Sequence, residues 1–319
     1  MLLVHRLAGK ARARAVMRGP NRPLYGFLVI DPRISPAWCR GADVARCGKN
    51  EMTDSSHELL AAIDIGASSI RMEVAEVTTG GKLHTLDSLK KAVQLGKDTF
   101  TGGILSEESI RATCEALRDF KKIMDTYGVV HYRAVATSAV REASNSDTFL
   151  DRILMSTGLD VEVIDGSEEN RLTYSAVLDS LVGGPELNHG QTLLVEAGGG
   201  SADVTLLEDG ELLQAGTFPL GSIRLRTNLR PAAGSHAQEI RLLKAQIANI
   251  VSSIKQTIPL REAVNYVAFG GDVRLAARIV MGVSHELRAS VLSREKFSES
   301  VESISKLSTN KLVRQYALA

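Results

Sequence analysis

The stretch EAGGGSAD, residues 196–203, sets two carboxylates, Glu196 and Asp203, on either side of Gly198, Gly199, Gly200 and Ser201. Small residues let backbone N–H groups come close to an anion. Carboxylate oxygens suit a hard divalent cation. The stretch therefore reads either as a tight hairpin or as a loop that holds a phosphate beside a metal. A second stretch of the same kind, DIGASS, offers Asp64, Gly66, Ser68 and Ser69. Standing alone it too would serve as a plain hairpin, but two such loops facing each other could cradle successive phosphates. A third, in NYVAFGGDVRLAARIV, reads as strand, glycine pair and helix, so Gly270 and Gly271 would leave the first helical N–H groups open to an anion. Asp272, next in the chain, is expected to cap that helix and occupy those groups itself.

Two charged residues complete the set. In GSEEN a strand hands over to a helix, which puts Glu168 and Glu169 in the first helical turn. The helix dipole favours acids there by about 0.3–1 kcal/mol, enough to account for both, and would help keep Glu169 ionised near neutral pH. Arg141, in SAVREA, is read as opening a helix, where a cation matches the dipole poorly. Either a bound anion, gripped by the guanidinium fork, or an ion pair with Glu142 or a neighbour explains it.

The elements that must position these residues repeat. LLAAIDIGASSIRMEVAEV reads as a buried strand, a small-residue turn at 66–69 and an alternating strand. Shifted by 132 residues the theme returns in TLLVEAGGGSADVTLLEDG, with Glu196 over Asp64, Gly198 over Gly66 and Ser201 over Ser69. One strand-turn-strand unit used twice predicts a duplicated, two-lobed fold with each hairpin facing a shared cleft. Between the units, Ser106 is placed to cap a helix with Ile110, Cys114, Leu117 and Met124 on one face. VVHYRAVAT is strand-like, SDTFLDRILMSTG is a helix stopped by Gly158, and LDVEVI is a strand before the helix that starts at Ser167. Strands alternating with helices predict an α/β class with partly parallel sheets, in lobes spanning 58–183 and 190–319.

Composition narrows the function classes. With 44% hydrophobic and 24% charged residues the 319-residue chain is an ordinary globular sequence, and it lacks the apolar run of about 20 residues that a membrane span needs. An aqueous, cytoplasmic protein is expected, with no specific nucleic acid as partner. Cys39, Cys47 and Cys114 are too few and scattered for a disulfide framework or a CxxC metal site, and Cys114 is read as core. The net charge of +1 conceals a basic start, +8 over residues 1–50, and a body of −7. An anionic substrate must therefore be held by backbone N–H groups, a few arginines and a metal rather than by a global positive field. Residues 1–51 show no sustained apolar period, and Met52 precedes the first strongly patterned strand. A targeting arm, a basic tail for nucleic acid, a disordered extension or an over-extended start are the readings, with the last two preferred.

AAIDIGASSIR, AVATSAVREASN, VEVIDGSEENR, LLVEAGGGSADVTLL, FPLGSIRL and AFGGDVRLAA occur in the order and at the separations seen in the exopolyphosphatase and guanosine pentaphosphate phosphohydrolase family. The chain resembles that family over roughly residues 58–316. The resemblance implies the two-lobed, duplicated actin-like ATPase (ribonuclease H-like) fold of the actin, Hsp70 and sugar kinase superfamily, with an interlobe cleft. It further implies that Glu169 is the catalytic base and that Arg141 contacts polyphosphate. Asp64, Gly66, Ser68, Ser69, the 198–201 loop, Gly270 and Gly271 are then phosphate-binding, and the carboxylates flanking the triple glycine serve Mg²⁺ directly or through its waters. The family pattern there is aspartate before and glutamate after. Glu196 and Asp203 exchange the two lengths, and Ser68 stands where the family has asparagine.

The implied activity is Mg²⁺-dependent release of terminal phosphate from polyphosphate or guanosine pentaphosphate, in a possible homodimer. The exchanged carboxylates leave a catalytically silent polyphosphate- or alarmone-binding module as the alternative, and an ATP-dependent kinase or chaperone of the same superfamily as a third reading. Relatives continue past the position of Ala319, so the second lobe is expected to be truncated.

Overall fold

The computed structural model describes residues 26–30, 58–77, 83–180, 190–229, 236–259, 263–282, 289–307 and 309–316. Its first strand, β1 (Gly26–Ile30), lies inside the basic segment expected to be disordered or to precede the true start. The disordered reading alone is corrected, and only at GFLVI, a short apolar, partly β-branched run, which a sheet can order by supplying backbone partners. The rest of 1–51, with Cys39 and Cys47, lies outside the described residues.

From Glu58 the chain builds a five-stranded sheet. The predicted strand-turn-strand unit is β2 (Glu58–Ile65) and β3 (Ser69–Val77), followed by β4 (Leu83–Ala92). Helices α1 (Leu95–Gly102) and α2 (Glu107–Tyr127) lead to β5 (His131–Ala136), and a single turn, α3 (Ser138–Arg141), precedes α4 (Ser146–Thr157) and β6 (Glu162–Val163). Strand order is β4-β3-β2-β5-β6, with β2 antiparallel to β3 and parallel to β5. β2 is central and buried on both faces, which is why Ala61, Ala62, Ile63 and Ile65 read as a nearly unbroken apolar run. Ser106 caps α2 by accepting from the Ser109 N–H, and Gly158 ends α4 in the left-handed conformation, both as read from the sequence. The apolar faces of α2 and α4 bury Leu117, Phe120, Phe149 and Ile153 completely against Ile63, Ile65 and Met72, and the Cys114 thiol is free in the same core.

The second sheet repeats the first. After α5 (Gly166–Ser180) come β7 (Gln191–Ala197), β8 (Ala202–Glu208) and β9 (Glu211–Phe218), then α6 (Ser222–Asn228), α7 (His236–Thr257), β10 (Ala263–Phe269), α8 (Gly271–Met281), β11 (Ala289–Ser293), α9 (Arg294–Ser305) and α10 (Thr309–Tyr316). Here β9-β8-β7-β10 matches β4-β3-β2-β5 in order and strand direction. The position beside the fourth strand, held by β6 in the first sheet, is held in the second by β1, which pairs parallel to β10 from Phe27↔Tyr266 to Ile30↔Phe269. β11 closes that side, antiparallel to β1.

Helix α5 lies between the two sheets and belongs to both. Leu172 and Ala176, one turn apart, pack with Val135 and Ile164 of the first lobe, while Val177 packs with Leu194, Leu207 and Phe269 of the second. A helix wedged in this way on two apolar faces presents its first turns to the crevice between the lobes.

Candidate active site

The two small-residue turns have one geometry. Gly66 N–H donates to Ser69 O at 3.1 Å, and Gly198 N–H donates to Ser201 O at 3.0 Å, so the 132-residue repeat extends to the hydrogen bond that closes each hairpin. In the first turn the carbonyls of Ala67 and Ser68 accept from the N–H groups of Gly96 (2.8 Å) and Val93 (3.0 Å). In the second, those of Gly198 and Gly199 accept from Ser222 (3.1 Å) and Ile223 (2.9 Å) at the start of α6, and that of Gly200 accepts from Arg224 Nε at 2.6 Å. Across a trans peptide the C=O of one residue and the N–H of the next point in opposite directions. With the carbonyls committed to Val93, α1 and α6, planar peptides turn the amides of Ser68, Ser69, Gly199, Gly200 and Ser201 the other way. Both turns line one cavity of about 270 Å³. A side chain at position 200 would overlap Ser138 Oγ and come within 2.8 Å of Phe100, so it would have to displace both where this loop meets the opposite lobe.

Glu169 stands on the same cavity, in the first turn of α5. That turn is capped by Asp165, whose Oδ1 accepts from the Glu168 N–H at 2.8 Å and whose carbonyl accepts from the Glu169 N–H. The expectation that the helix dipole keeps Glu169 ionised is corrected. Burial pushes its pKa up to about 7 against the pull of Arg141, and Glu196 and Asp64 push in the same direction as burial. Desolvation outweighs the helix terminus because the carboxylate is largely out of water.

Arg141 does not line the cavity. It ends the one-turn helix α3 instead of opening a longer one, and it uses Nη1 to hold the Ile164 carbonyl (2.7 Å) and Glu169 Oε2 (3.2 Å). The dipole argument for a bound anion at Arg141 therefore falls, and its partner is Glu169 rather than Glu142.

The carboxylates gather as the repeat dictates. Glu196 and Asp203 are directly opposed on β7 and β8, so their side chains share a face. The equivalent pair in the first lobe is Asp64 opposite Arg71. Asp64 and Glu196 line the cavity, and Glu196 Oε2 accepts from Thr173 at 2.8 Å. Asp203 lies one layer behind, where Oδ1 accepts from Thr217 (2.6 Å) and Asn170 (3.4 Å). Burial, then Glu169 and Glu196, push its pKa up to about 8. Glu169 and Asp203 thus titrate as one interacting pair. Among the described residues no three acidic, histidine or cysteine side chains form a ready-made metal cage. Mg²⁺ seldom uses one, being held through one or two carboxylates together with phosphate oxygens and water. An all-oxygen donor set with mutually repelling carboxylates fits that ion.

A family model described as the Ppx/GppA phosphatase family matches residues 73–318. The chain belongs to the Ppx/GppA phosphatase family. It is, accordingly, a hydrolase of phosphoanhydride bonds. Similar proteins include Exopolyphosphatase 2 of Mycobacterium tuberculosis, 27% identical over 76% of this chain and 77% of that one, and Exopolyphosphatase 1 of Mycobacterium leprae, 28% identical over 62% and 58%. A crystal structure of the Aquifex aeolicus Ppx/GppA family member superposes with a TM-score of 0.66 at 25% identity, covering 82% of this chain and 83% of that one. An exopolyphosphatase structure from Cytophaga hutchinsonii has a TM-score of 0.69 at 24% identity, over 80% and 82%, and supports the fold.

In this Ppx/GppA phosphatase the cavity brings together Asp64, Gly66, Ser68, Ser69, Glu169, Glu196, the 198–201 loop, Gly270 and Gly271. Arg141 and Asp203 stand behind it. Asp272 does not cap α8. The cap position is Gly270, whose φ of +105° suits glycine, and Asp272 sits in the first turn facing the cavity. Two cavity arginines, Arg71 and Arg274, were not read as site residues. Arg71 was accessible in principle, since it lies 132 residues before Asp203 and so occupies the repeat-equivalent position.

Proposed function

We propose that this phosphatase releases the terminal phosphate of inorganic polyphosphate with Mg²⁺, using Glu169 as general base. The reading rests chiefly on one observation: two hairpins from different lobes line a single cavity with Glu169. In the reaction Glu169 takes a proton from water, the water oxygen bonds to the terminal phosphorus, and the bridging P–O bond breaks with its electrons going to the shortened chain. Positioning and charge neutralisation dominate phosphoryl transfer, since the transition state is loose. The turned amides of Ser68, Ser69, Gly199, Gly200 and Ser201 supply fixed donors for phosphate oxygens, and Arg71 and Arg274 supply positive charge on the cavity wall. Asp64 and Glu196 would hold Mg²⁺, with Asp203 behind them orienting through Thr217 and Asn170. When bound, the ion would offset phosphate charge that the acidic body cannot.

Polyphosphate is favoured over guanosine pentaphosphate by the names of the similar mycobacterial proteins. One observation favours the alternative of a silent binding module: Asp203 is turned toward Thr217 and Asn170 rather than into the cavity. Phosphate release from polyphosphate and from guanosine pentaphosphate, each with Mg²⁺ and with EDTA, separates these readings. The expected result is Mg²⁺-dependent release from polyphosphate, abolished in E169Q while calorimetric binding of polyphosphate persists. Release that survives in E169Q removes Glu169 from the role of base, and binding without any release by the unmodified chain selects the silent module.

A further inference from the structure

The residues of FPLGSIRL do more than follow the second hairpin. Arg224, on α6 of the second lobe, reaches across to the first, where Nη1 and Nη2 hold both oxygens of Glu142 at 2.8 and 2.6 Å. The same guanidinium lies 3.9 Å over the ring of Phe100 on α1, and its Nε donates to the Gly200 carbonyl. One side chain therefore engages a first-lobe carboxylate, a first-lobe aromatic face and the backbone of the phosphate loop. A planar fork with several donors can do this, whereas an ammonium cannot. Its neighbour Ile223 packs into the first-lobe core, so α6 is seated across the crevice at two successive positions.

Glu142 directly follows Arg141 in the chain, and Arg141 holds Glu169. Thr99 of α1 donates to the Ala139 carbonyl at 2.8 Å, which ties the Phe100 helix to the turn that carries both residues. The contacts thus run without a gap from the Gly200 peptide through Arg224, Glu142 and Arg141 to Glu169.

We propose that Arg224 is an interlobe latch, a positioning residue that closes the 198–201 loop onto the first lobe and aligns it with Glu169. The proposal rests on the functional reading above for its kinetic consequence, but not for its structural one. In the latched state the Gly200 carbonyl is fixed and the amide of Ser201, on the same peptide, is aimed by that bond. Without the latch the loop keeps its three α6 backbone hydrogen bonds, from the N–H groups of residues 222, 223 and 224, but loses its tie to Glu142 and Phe100. Glu142 is exposed, so E142A costs little stability, whereas R224A also gives up the Phe100 contact and the donor to the Gly200 carbonyl. The kinetic effect of losing the latch is large, because a misplacement of about 1 Å at the reacting group costs on the order of a hundredfold.

The test uses the full chain as R224A, R224K, E142A and R224A/E142A. Steady-state phosphate release from polyphosphate is measured together with thermal melting, and hydrogen exchange of the 222–228 and 95–102 segments is followed with and without tripolyphosphate and Mg²⁺. The latch predicts kcat/KM lower by roughly ten- to a hundredfold in R224A, a loss only partly restored in R224K, non-additive losses in the double variant, and a melting temperature within about 3 °C of the parent in E142A. It also predicts faster exchange in both segments in R224A, a readout that stands even if the unmodified chain releases no phosphate. Unchanged exchange in R224A overturns the latch. Additive kinetic losses in the double variant, or kinetic losses that merely track a lowered melting temperature, overturn it as well.

Discussion

Replacing Arg141 by methionine separates the two roles open to that residue. The substitution keeps an unbranched apolar stem and removes the charge that sits 3.2 Å from Glu169 Oε2. A hydrogen bond to a charged group is worth about 1.5–3 kcal/mol, and one pKa unit corresponds to 1.36 kcal/mol, so losing it raises Glu169 by about one to two units. From a starting value of about 7, the carboxylate then ionises near pH 8–9. At pH 7 the parent base is about half ionised and the variant about one to nine per cent, a loss of roughly five- to fiftyfold in the active form. The assay is kcat/KM for polyphosphate between pH 6 and 10 at one fixed Mg²⁺ concentration, since the acid limb of that profile reports the free enzyme's base. R141M is expected to shift the limb upward, with its deficit shrinking toward alkaline pH. A deficit of constant size at every pH, with the limb unmoved, would mean that Arg141 acts on phosphate and not on Glu169, and the reasoning would fail.

Metal-free stability should fall as pH rises. Glu169 and Asp203 stay protonated in the fold to about 7 and 8 but ionise near 4.5 and 3.8 in the unfolded chain, so the native state binds more protons across that interval. Melting in EDTA should be highest below about pH 3.8 as far as this pair is concerned and decline through pH 8. Mg²⁺ should raise the melting temperature most above pH 7, where the carboxylates bind it without first losing protons, and a flat EDTA profile would contradict the burial of the pair. G200A should cut phosphate release by at least about a hundredfold, because its methyl group would overlap Ser138 and crowd Phe100. Near-normal turnover would show that the two lobes need not meet at this loop. F120A, far from the crevice, should cost about 3–5 kcal/mol by denaturant titration, as Phe120 is completely buried in the first-lobe core. A cost below about 1 kcal/mol would contradict that packing.

What the sequence disclosed, and what it withheld, follows from the range of each signal. The paired hairpins were legible because a glycine-rich turn between apolar strands is a local pattern, and repetition at a fixed offset doubled it. Ser106 and Gly158 were legible for the same reason, since a cap is decided within four residues. The charge state of Glu169 was not. Its neighbours in sequence point to an ionised acid at a helix start, whereas its neighbours in space, Glu196 and Asp64, come from both lobes and add to the effect of burial. Arg141 misled in the same manner: it ends a one-turn helix instead of opening a longer one, and the partner of its guanidinium lies 28 positions away. β1 is the extreme case. Nothing within GFLVI names its partner, and the edge it occupies belongs to β10, more than 230 residues later in the chain.

The same contrast explains why the duplicated units differ in chemistry while sharing geometry. At the position directly opposite the first carboxylate, the first lobe has Arg71 and the second has Asp203. One hairpin therefore sets a cation against its acid and the other sets acid against acid. The first arrangement sets no like charges together, and its Arg71 Nε donates to Ser69 Oγ in the phosphate turn, while the second leaves repulsion that only a proton or a cation can relieve, and it lies beside Glu169, which adds to it. A crevice built from two copies of one unit thus acquires a polarity along its length: positive charge from Arg71 on the first-lobe wall to receive phosphate, and surplus negative charge on the second-lobe wall to attract Mg²⁺. R71E should then weaken tripolyphosphate binding measured in EDTA, where no metal can compensate, by about tenfold or more if even one charge-assisted hydrogen bond is lost. D203N should leave that metal-free binding intact and weaken only the Mg²⁺-dependent increment. Equal losses in both variants under both conditions would mean that the two walls are not specialised.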